Sequence, residues 1–144
     1  EYDAQLVPLE ELLEQSDYVT LHCPLSEQTH HLIDAGALRR MKSSAYLINT
    51  SRGPVVDEEA LIAALEKSEI AGAGIDVFEH EPVDPENPLL HMDNVVLTPH
   101  VAGSSEPAWK AICRRAGEEA ARVLRGGRPQ VLVNPEVLGR LGLA

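Results

Sequence analysis

The chain has 144 residues, of which 44% are hydrophobic and 3% aromatic, so it is long enough for one domain with a substantial apolar core. Its formal net charge of −11 disfavours phosphate-rich partners such as nucleic acids or anionic membranes, and no apolar run reaches membrane-spanning length. Two distant cysteines, Cys23 and Cys113, match no metal-binding spacing and favour a reducing, cytoplasmic location.

Strand and helix patterns alternate along most of the chain. The start at Glu1 has no initiator methionine, and this predicts that the residues belong to a longer chain. Short apolar runs predict four strands, at 18–22, 45–48, 70–77 and 94–98. The second run is continuously apolar, which predicts a strand covered on both faces. Helices are predicted at 8–15, at 35–41 after an Asp34 cap, and from an Asp57 cap onward.

The C-terminal part has a different pattern. A long helix is predicted from a cap at Ser104 or Ser105 to about Leu124, where Gly126 and Gly127 end it. The tail at 131–135 is predicted to be extended, and the end beyond it to be loose.

The alternation predicts an α/β fold, a partial Rossmann-like, doubly wound parallel sheet followed by the long C-terminal helix. Ligands of such sheets bind at the carboxyl ends of the strands. Polar residues capable of chemistry fall at those ends, at Cys23, 50–53, 76–81 and 99–103. This segregation predicts a ligand site along one edge of the sheet.

Three of these residues have both a functional and a structural interpretation. Arg52 could bind a carboxylate through two parallel hydrogen bonds, or pair at the surface with Asp57 or Glu58. His100 could transfer a proton near neutral pH, or lie at a helix end. Glu81 could meet His100 and favour its imidazolium form, or be solvated in its acidic loop.

Other polar residues carry weaker signals. Asp76, at the end of an apolar strand, could accept a hydrogen bond from a carboxamide or cap a neighbouring turn. Gly72 and Gly74 do not form a dinucleotide fingerprint, because no helix opens after them. The remaining histidines show no zinc spacing, so no metal site is predicted and we expect them to be solvated: His22, His30, His31, His80 and His91.

Four stretches occur together in one order: 16–25 (SDYVTLHCPL) with Thr29, 48–53 (INTSRG), 74–82 (GIDVFEHEP) and 97–103 (LTPHVAG). In order and spacing they resemble the D-isomer-specific 2-hydroxyacid dehydrogenases, which use a nicotinamide cofactor. The resemblance spans residues 7–135.

The resemblance implies an NAD(P)-dependent oxidoreductase that interconverts a D-2-hydroxy acid and a 2-oxo acid by hydride transfer. Arg52 would bind the substrate carboxylate, His100 would be the general acid for ketone reduction, and Glu81 would hold His100. Asp76 would contact the nicotinamide carboxamide. The other implied cofactor contacts are Cys23, Pro24 and Thr29 on the adenosine side and Thr50, Ser51 and Gly103 on the nicotinamide side, with Arg52 and His100 also in contact.

The resemblance also implies a division of the chain. Residues 1–103 would be the second half of the dinucleotide-binding domain, and residues 104–144 a return helix and C-terminal segment of the substrate domain. The family's glycine-rich fingerprint is absent from the sequence. The choice between NAD and NADP therefore stays open.

The substrate is equally open, because glyoxylate, hydroxypyruvate, pyruvate and 3-phosphohydroxypyruvate all fit. The family implies a homodimer for the full-length protein. Two other classes also fit the sequence: a dinucleotide-sensing, corepressor-like interaction protein, and an inactive fragment of the dehydrogenase.

Overall fold

The computed structural model describes residues 4–140 and 142, and the chain divides into two compact units, Glu1–Ala102 and Gly103–Ala144. Glu1, on which the prediction of a longer chain depends, lies outside the described residues. No helix in the described part combines the length and apolar character needed to cross a membrane.

The first unit is built on a parallel sheet of four strands in the order β1-β2-β3-β4. The strands are β1 (Tyr18–Leu21), β2 (Tyr46–Asn49), β3 (Gly72–Ile75) and β4 (Val95–Leu97). The helices are α1 (Leu9–Gln15), α2 (Ala35–Arg40) and α3 (Glu58–Glu66), with short 3₁₀ helices at Gly53–Val55 and Pro88–His91. The predicted parallel α/β fold is confirmed.

Apolar side chains on one face of the sheet pack against the helices to form the core. Val19, Leu47 and Ala73 point to this face and are each at most 4% exposed. The opposite face carries Tyr18 and Val96, which are 69% and 71% exposed. Because strand order follows chain order, right-handed crossovers place the connecting helices on one side.

The prediction that β2 is covered on both faces is wrong in this structure, since Tyr46 is 42% exposed and its ring stacks on that of Tyr18. A strand with an apolar sequence can leave one face exposed to solvent when an outward side chain stacks on a side chain of the neighbouring strand, as Tyr46 does on Tyr18. The other difference in the sheet is length, since β3 has only four residues where 70–77 was predicted.

Capping aspartates in the sequence correctly predict where two helices begin. Asp34 accepts a hydrogen bond from Ala37 N–H, and Asp57 accepts one from Ala60 N–H, as capping residues do. The aspartates therefore place the starts of α2 and α3.

The second unit contains α4 (Glu106–Leu124), capped by Ser105, and a short α5 (Val137–Arg140). Gly126 follows α4 with a φ of +76°, the left-handed conformation that ends many helices. These findings confirm the predicted long helix. No helix is assigned to 131–135, the stretch predicted to be extended, and α5 corrects the prediction of a loose end beyond it.

Candidate active site

A buried asparagine that the sequence motifs did not single out organises the turn after β2. Asn49 is 1% exposed, and its Oδ1 accepts hydrogen bonds from Ser51 N–H (3.0 Å) and Ser51 Oγ–H (2.9 Å). Its Nδ2 donates to the carbonyl oxygen of Arg52 at 3.0 Å. Both ends of the amide are thus used to fix the backbone path. The available signal was a polar residue ending an otherwise apolar strand.

Arg52 leaves this turn with an exposed side chain. Its Nη1 donates to the carbonyl oxygen of Ser51 at 2.6 Å, and no ion pair within the described residues involves its guanidinium. The alternative pairing with Asp57 or Glu58 is not observed, because Asp57 caps α3 and Glu58 bonds to other groups. The guanidinium is therefore available to a ligand carboxylate.

Glu81 and His100 form a pair, as predicted. His100 Nδ1 and Glu81 Oε2 are 2.8 Å apart, and Glu81 Oε1 accepts a hydrogen bond from Phe78 N–H at 3.1 Å. The interpretation of Glu81 as a purely solvated side chain is therefore wrong. The hydrogen bond with His100 lowers the pKa of Glu81 below its usual range, partial burial opposes this, and the Phe78 N–H adds to it.

His100 occupies a turn after β4, and not a helix end, since α4 begins at Glu106. Its φ of +55° lies in the left-handed region, which is uncommon for residues other than glycine. Its N–H donates to the carbonyl oxygen of Asp76 at 2.9 Å, which helps to hold that conformation. Backbone in such regions is often found at functional sites.

Asp76 is the buried anchor of this turn. It is 3% exposed, and its carboxylate accepts hydrogen bonds from Thr98 Oγ–H, Val101 N–H (2.8 Å) and Ala102 N–H (2.9 Å). Burial alone would raise the pKa of Asp76, but these three hydrogen bonds outweigh it and lower the pKa. The structure thus shows the turn-capping alternative. The predicted contact with a carboxamide stays a prediction.

The candidate catalytic residues come together at one cavity of about 170 Å³. Arg52 follows β2, Glu81 follows β3 and His100 follows β4, so three successive strand ends supply them. The cavity is lined by these three residues with Gly53, Pro54, Val77, Phe78 and Glu79. A cation, a carboxylate and an imidazole on one small cavity can bind an organic acid and move a proton.

A larger cleft of about 570 Å³ opens beside it, at the ends of β1 and β2. It is lined by His22, Cys23, Pro24, Leu25, Thr50, Ser51 and Arg52. This brings together five of the predicted cofactor residues, and His22 and Leu25 join them without having been predicted. No acidic side chain is among these lining residues, although the chain carries a formal net charge of −11.

Of the other predicted cofactor residues, Asp76 and His100 lie in the turn described above, and Thr29 lies in the loop after β1. The hydroxyl of Thr29 donates to the carbonyl oxygen of Pro24 at 2.7 Å and accepts from Ser26 N–H at 2.8 Å, so it holds the loop after β1 and does not line the cleft. Gly103 is the first residue of the second unit, and its predicted cofactor contact stays a prediction.

One histidine was predicted wrongly to be solvated. His31 is half-buried, and its Nε2 lies 2.8 Å from Glu79 Oε1. Because Glu79 favours its charged form, the pKa of His31 is raised. Ligand atoms of His30, His31 and Glu79 lie within 4.8 Å of one another in the described chain, so a metal ion could be held there. The His31 and Glu79 atoms, however, already bond to each other.

Comparison with known families identifies a match over most of the chain. The family model described as "D-isomer specific 2-hydroxyacid dehydrogenase, NAD binding domain" matches residues 1–102. A glyoxylate reductase of Korarchaeum cryptofilum is 51% identical over 138 residues, covering 96% of this chain and 42% of its own length. A glyoxylate/hydroxypyruvate reductase B of Klebsiella pneumoniae is 45% identical, covering 94% and 42%. The chain thus spans about two fifths of the length of these relatives.

Solved structures agree in fold. The TT0316 protein of Thermus thermophilus superimposes with a TM-score of 0.85 at 41% identity, covering 89% of this chain and 41% of that one. A D-isomer specific 2-hydroxyacid dehydrogenase of Lactobacillus delbrueckii in an NAD-complexed form gives 0.81 at 37%, covering 88% and 43%. One from Xanthobacter autotrophicus in complex with NADPH and MES gives 0.74 at 40%, covering 89% and 52%.

Proposed function

This chain belongs to the D-isomer specific 2-hydroxyacid dehydrogenase family, and on that premise we propose that the full-length protein interconverts a D-2-hydroxy acid and a 2-oxo acid. The observation that carries the proposal is the cavity that Arg52, Glu81 and His100 line together. A 2-oxo acid would bring a carboxylate and a carbonyl oxygen to that cavity. These two groups need a cation and a proton donor, and both are present.

Arg52 binds the substrate carboxylate. Its guanidinium has no carboxylate partner within the described residues, so binding the substrate breaks no ion pair there. A planar guanidinium can form two parallel hydrogen bonds with a carboxylate, which fixes the orientation of the acid as well as its position. The same positive charge opposes the negative charge that develops on the carbonyl oxygen during reduction.

His100 transfers the proton. Nδ1 is engaged by Glu81, which leaves Nε2 as the nitrogen that can reach the substrate. In reduction, His100 donates a proton to the oxygen as hydride arrives at the second carbon, and in oxidation it accepts the proton back. Glu81 holds the ring through Nδ1, so that Nε2 keeps one orientation toward the substrate.

The cleft between the ends of β1 and β2 suits a nicotinamide dinucleotide. It lies at the carboxyl ends of parallel strands, where α/β sheets bind nucleotides, and acidic side chains are missing from its lining residues. Cys23, Pro24, Thr50 and Ser51 would hold the cofactor there, and Thr29 would shape the loop that carries Pro24. A bound nicotinamide supplies or accepts the hydride. Relatives bind NAD and NADPH, so the cofactor is NAD or NADP.

Glyoxylate and hydroxypyruvate are the first substrates to test, since a glyoxylate reductase and a glyoxylate/hydroxypyruvate reductase are 51% and 45% identical to this chain over the aligned residues. Pyruvate follows, because structural relatives include D-lactate dehydrogenases.

The remaining assignments concern the whole protein. We assign residues 104–144 to the substrate domain, supported by the division of the chain after Ala102. A homodimer of the full-length protein is what the family resemblance implies, and size-exclusion chromatography of that protein tests it. The free thiols of Cys23 and Cys113 support a cytoplasmic location.

The test is turnover by the purified full-length protein with NADH and NADPH against glyoxylate, hydroxypyruvate, pyruvate and 3-phosphohydroxypyruvate. We expect consumption of reduced cofactor with at least one acid. Absence of turnover with every acid would contradict the proposal. Cofactor binding without turnover would instead favour the dinucleotide-sensing alternative.

A further inference from the structure

Two glutamates from distant parts of the chain hold each other in a reciprocal arrangement. Glu79 N–H donates to Glu58 Oε2 at 2.9 Å, and Glu58 N–H donates to Glu79 Oε2 at 3.1 Å. Glu58 begins α3, and Glu79 follows β3 in the loop that leads to Glu81. Each carboxylate thus receives a backbone donor at the point where two like charges would otherwise repel each other.

The second oxygen of each carboxylate is also bonded. Glu58 Oε1 accepts a hydrogen bond from Asn87 Nδ2 at 2.6 Å, and Glu79 Oε1 lies 2.8 Å from His31 Nε2. The arrangement therefore joins the loop before α2, the start of α3 and two separate points, Glu79 and Asn87, of the segment between β3 and β4. We call these four residues, Glu58, Glu79, His31 and Asn87, the glutamate clamp.

The backbone conformation of His31 is fixed by a hydrogen bond, and it places the imidazole beside Glu79. His31 has a φ of +51°, in the left-handed region, and its N–H donates to the carbonyl oxygen of Pro54 at 2.8 Å. The carboxylates of Asp57 and Asp34 raise the pKa of His31, as Glu79 does. These charges favour an imidazolium, which compensates the Glu79 carboxylate.

The peptide that the clamp holds, between Phe78 and Glu79, directly follows the peptide whose N–H positions Glu81. Phe78 N–H donates to Glu81 Oε1, and Glu81 Oε2 bonds to His100. A Cβ at Gly53 would lie 1.8 Å from the Phe78 carbonyl oxygen and 2.5 Å from Glu79 N, so this peptide also packs tightly on the turn that carries Arg52. A shift at residue 79 would therefore move the carboxylate that orients His100.

Glu79 itself is not placed to react. Its side chain is 20% exposed, and both carboxylate oxygens have a partner: Oε2 accepts from Glu58 N–H, and Oε1 bonds to His31 Nε2. Although Glu79 contributes to the lining of the 170 Å³ cavity, its acceptor groups are thus directed to the clamp. Its carboxylate can act on the chemistry only through the backbone that it holds.

We propose that Glu79, held by Glu58 and His31, is a positioning residue that sets the geometry of the Glu81–His100 pair. The inference rests on the proposed function, because it assigns Glu79 a part in that proton transfer. In the same loop, Glu86 provides a matched control, since it is exposed and its carboxylate has no partner among the described residues.

The test uses full-length protein with the substitutions Glu79→Ala, Glu79→Gln, Glu58→Ala and Glu86→Ala. We expect Glu79→Ala to lower kcat about 100-fold, the effect of a misplacement of about 1 Å, with KM for the 2-oxo acid little changed. The acid limb of the kcat/KM profile, which reports protonation of Glu81, should move to higher pH. Glu79→Gln keeps an oxygen for Glu58 N–H and should recover part of the loss, and Glu86→Ala should match the wild type.

Two further measurements separate positioning from general damage. Amide hydrogen exchange at Phe78 should be faster in Glu79→Ala than in Glu86→Ala, because Glu81 no longer accepts that N–H stably. The double variant Glu58→Ala/Glu79→Ala should lose no more activity than Glu79→Ala alone, since the two residues act as one unit.

The outcomes are distinguishable. If the wild type turns over a 2-oxo acid and folded Glu79→Ala keeps its kcat and pH profile, the positioning role is overturned and the proposed function stands. If the wild type turns over no acid, both fall. Should Glu79→Ala fail to fold, a wild-type kcat and pH profile in both Glu79→Gln and Glu58→Ala would overturn the positioning role.

Discussion

His100 and Glu81 meet through Nδ1 and Oε2 at 2.8 Å, which leaves Nε2 of His100 without a partner among the described residues. A carboxylate on one ring nitrogen fixes the proton there and sets the orientation of the ring. The Phe78 N–H on the other Glu81 oxygen holds the carboxylate in turn. The pair therefore presents one nitrogen in one orientation to the neighbouring cavity.

Replacement of this imidazole should remove most of the catalysis. We expect His100→Asn in the full-length protein to lower kcat for a 2-oxo acid by about 10²- to 10⁴-fold, the usual contribution of a general acid. Asparagine tolerates the φ of +55° that His100 adopts, so the turn should be preserved. Steady-state kinetics with the 2-oxo acid and reduced cofactor measures the loss. Near-normal turnover would contradict the assignment of His100.

Arg52 should act on both substrate binding and rate. Arg52→Ala removes the guanidinium, and we expect kcat/KM for the 2-oxo acid to fall by about 10²- to 10³-fold. Arg52→Lys should recover only a small part, because an ammonium cannot form two parallel hydrogen bonds with a carboxylate. Arg39→Ala, which removes an exposed guanidinium on α2 for which no bond is observed in the described part, is the control. Equal kcat/KM values for the Arg52 variants and this control would refute the role.

Asp76 should stabilise the folded protein in a pH-dependent way. Its pKa is lowered on folding, so its contribution is present above the unfolded pKa of about 3.9 and is lost as pH falls through the lower folded value. Asp76→Asn turns an amide donor toward N–H groups and should cost about 1–3 kcal/mol near neutral pH. Urea unfolding of both proteins from pH 7 downward measures the difference. We expect it to shrink below about pH 4, and a constant difference would argue against the mechanism.

His31 should have the opposite pH dependence. Glu79 raises its pKa, so the stabilisation is fully present below the unfolded pKa of about 6.5 and is lost as pH rises through the folded value. His31→Asn suits the φ of +51° and removes only the titrating group. Unfolding free energies of the two proteins should differ most near pH 6 and converge at higher pH. A difference that grows with pH would show that the pair is not ionic.

Gly53 should tolerate no side chain. A Cβ there would lie 1.8 Å from the Phe78 carbonyl oxygen, which is backbone and cannot rotate away. We expect Gly53→Ala to destabilise the full-length protein by about 3 kcal/mol or more. Gly74→Ala is the matched control, because its nearest contact would be an ordinary 3.7 Å to Ile48. Thermal unfolding compares them, and equal Tm values would contradict the close packing.

The sequence could predict those parts of the fold and site that depend on local signals. Asp34, Asp57 and Ser105 were predicted as caps because a cap requires only a suitable side chain next to a helical pattern. Parallel topology then predicted correctly that the ends of β2, β3 and β4 would bring Arg52 and His100 to one edge.

Contacts between distant segments could not be predicted in this way. Glu58 and Glu79 are 21 residues apart, and His31 and Glu79 are 48 apart, so no spacing rule relates them. Asp76 illustrates a different limit. Its position in the sequence fits either a turn cap or a ligand contact. The three donors around its carboxylate identify it as a turn cap, and the sequence alone could not show them.

The strand order has a consequence for substrate range. Arg52 and His100 follow β2 and β4, which are separated by β3, so the distance between their starting points is two strand spacings, or about 10 Å. Backbone hydrogen bonds set that distance, and side-chain substitutions do not easily change it. On the proposed assignment, acids of different length must therefore present the same first two carbons here and extend the rest elsewhere. Engineering of a new specificity should accordingly leave these strand ends intact and vary the walls that meet the third carbon and beyond.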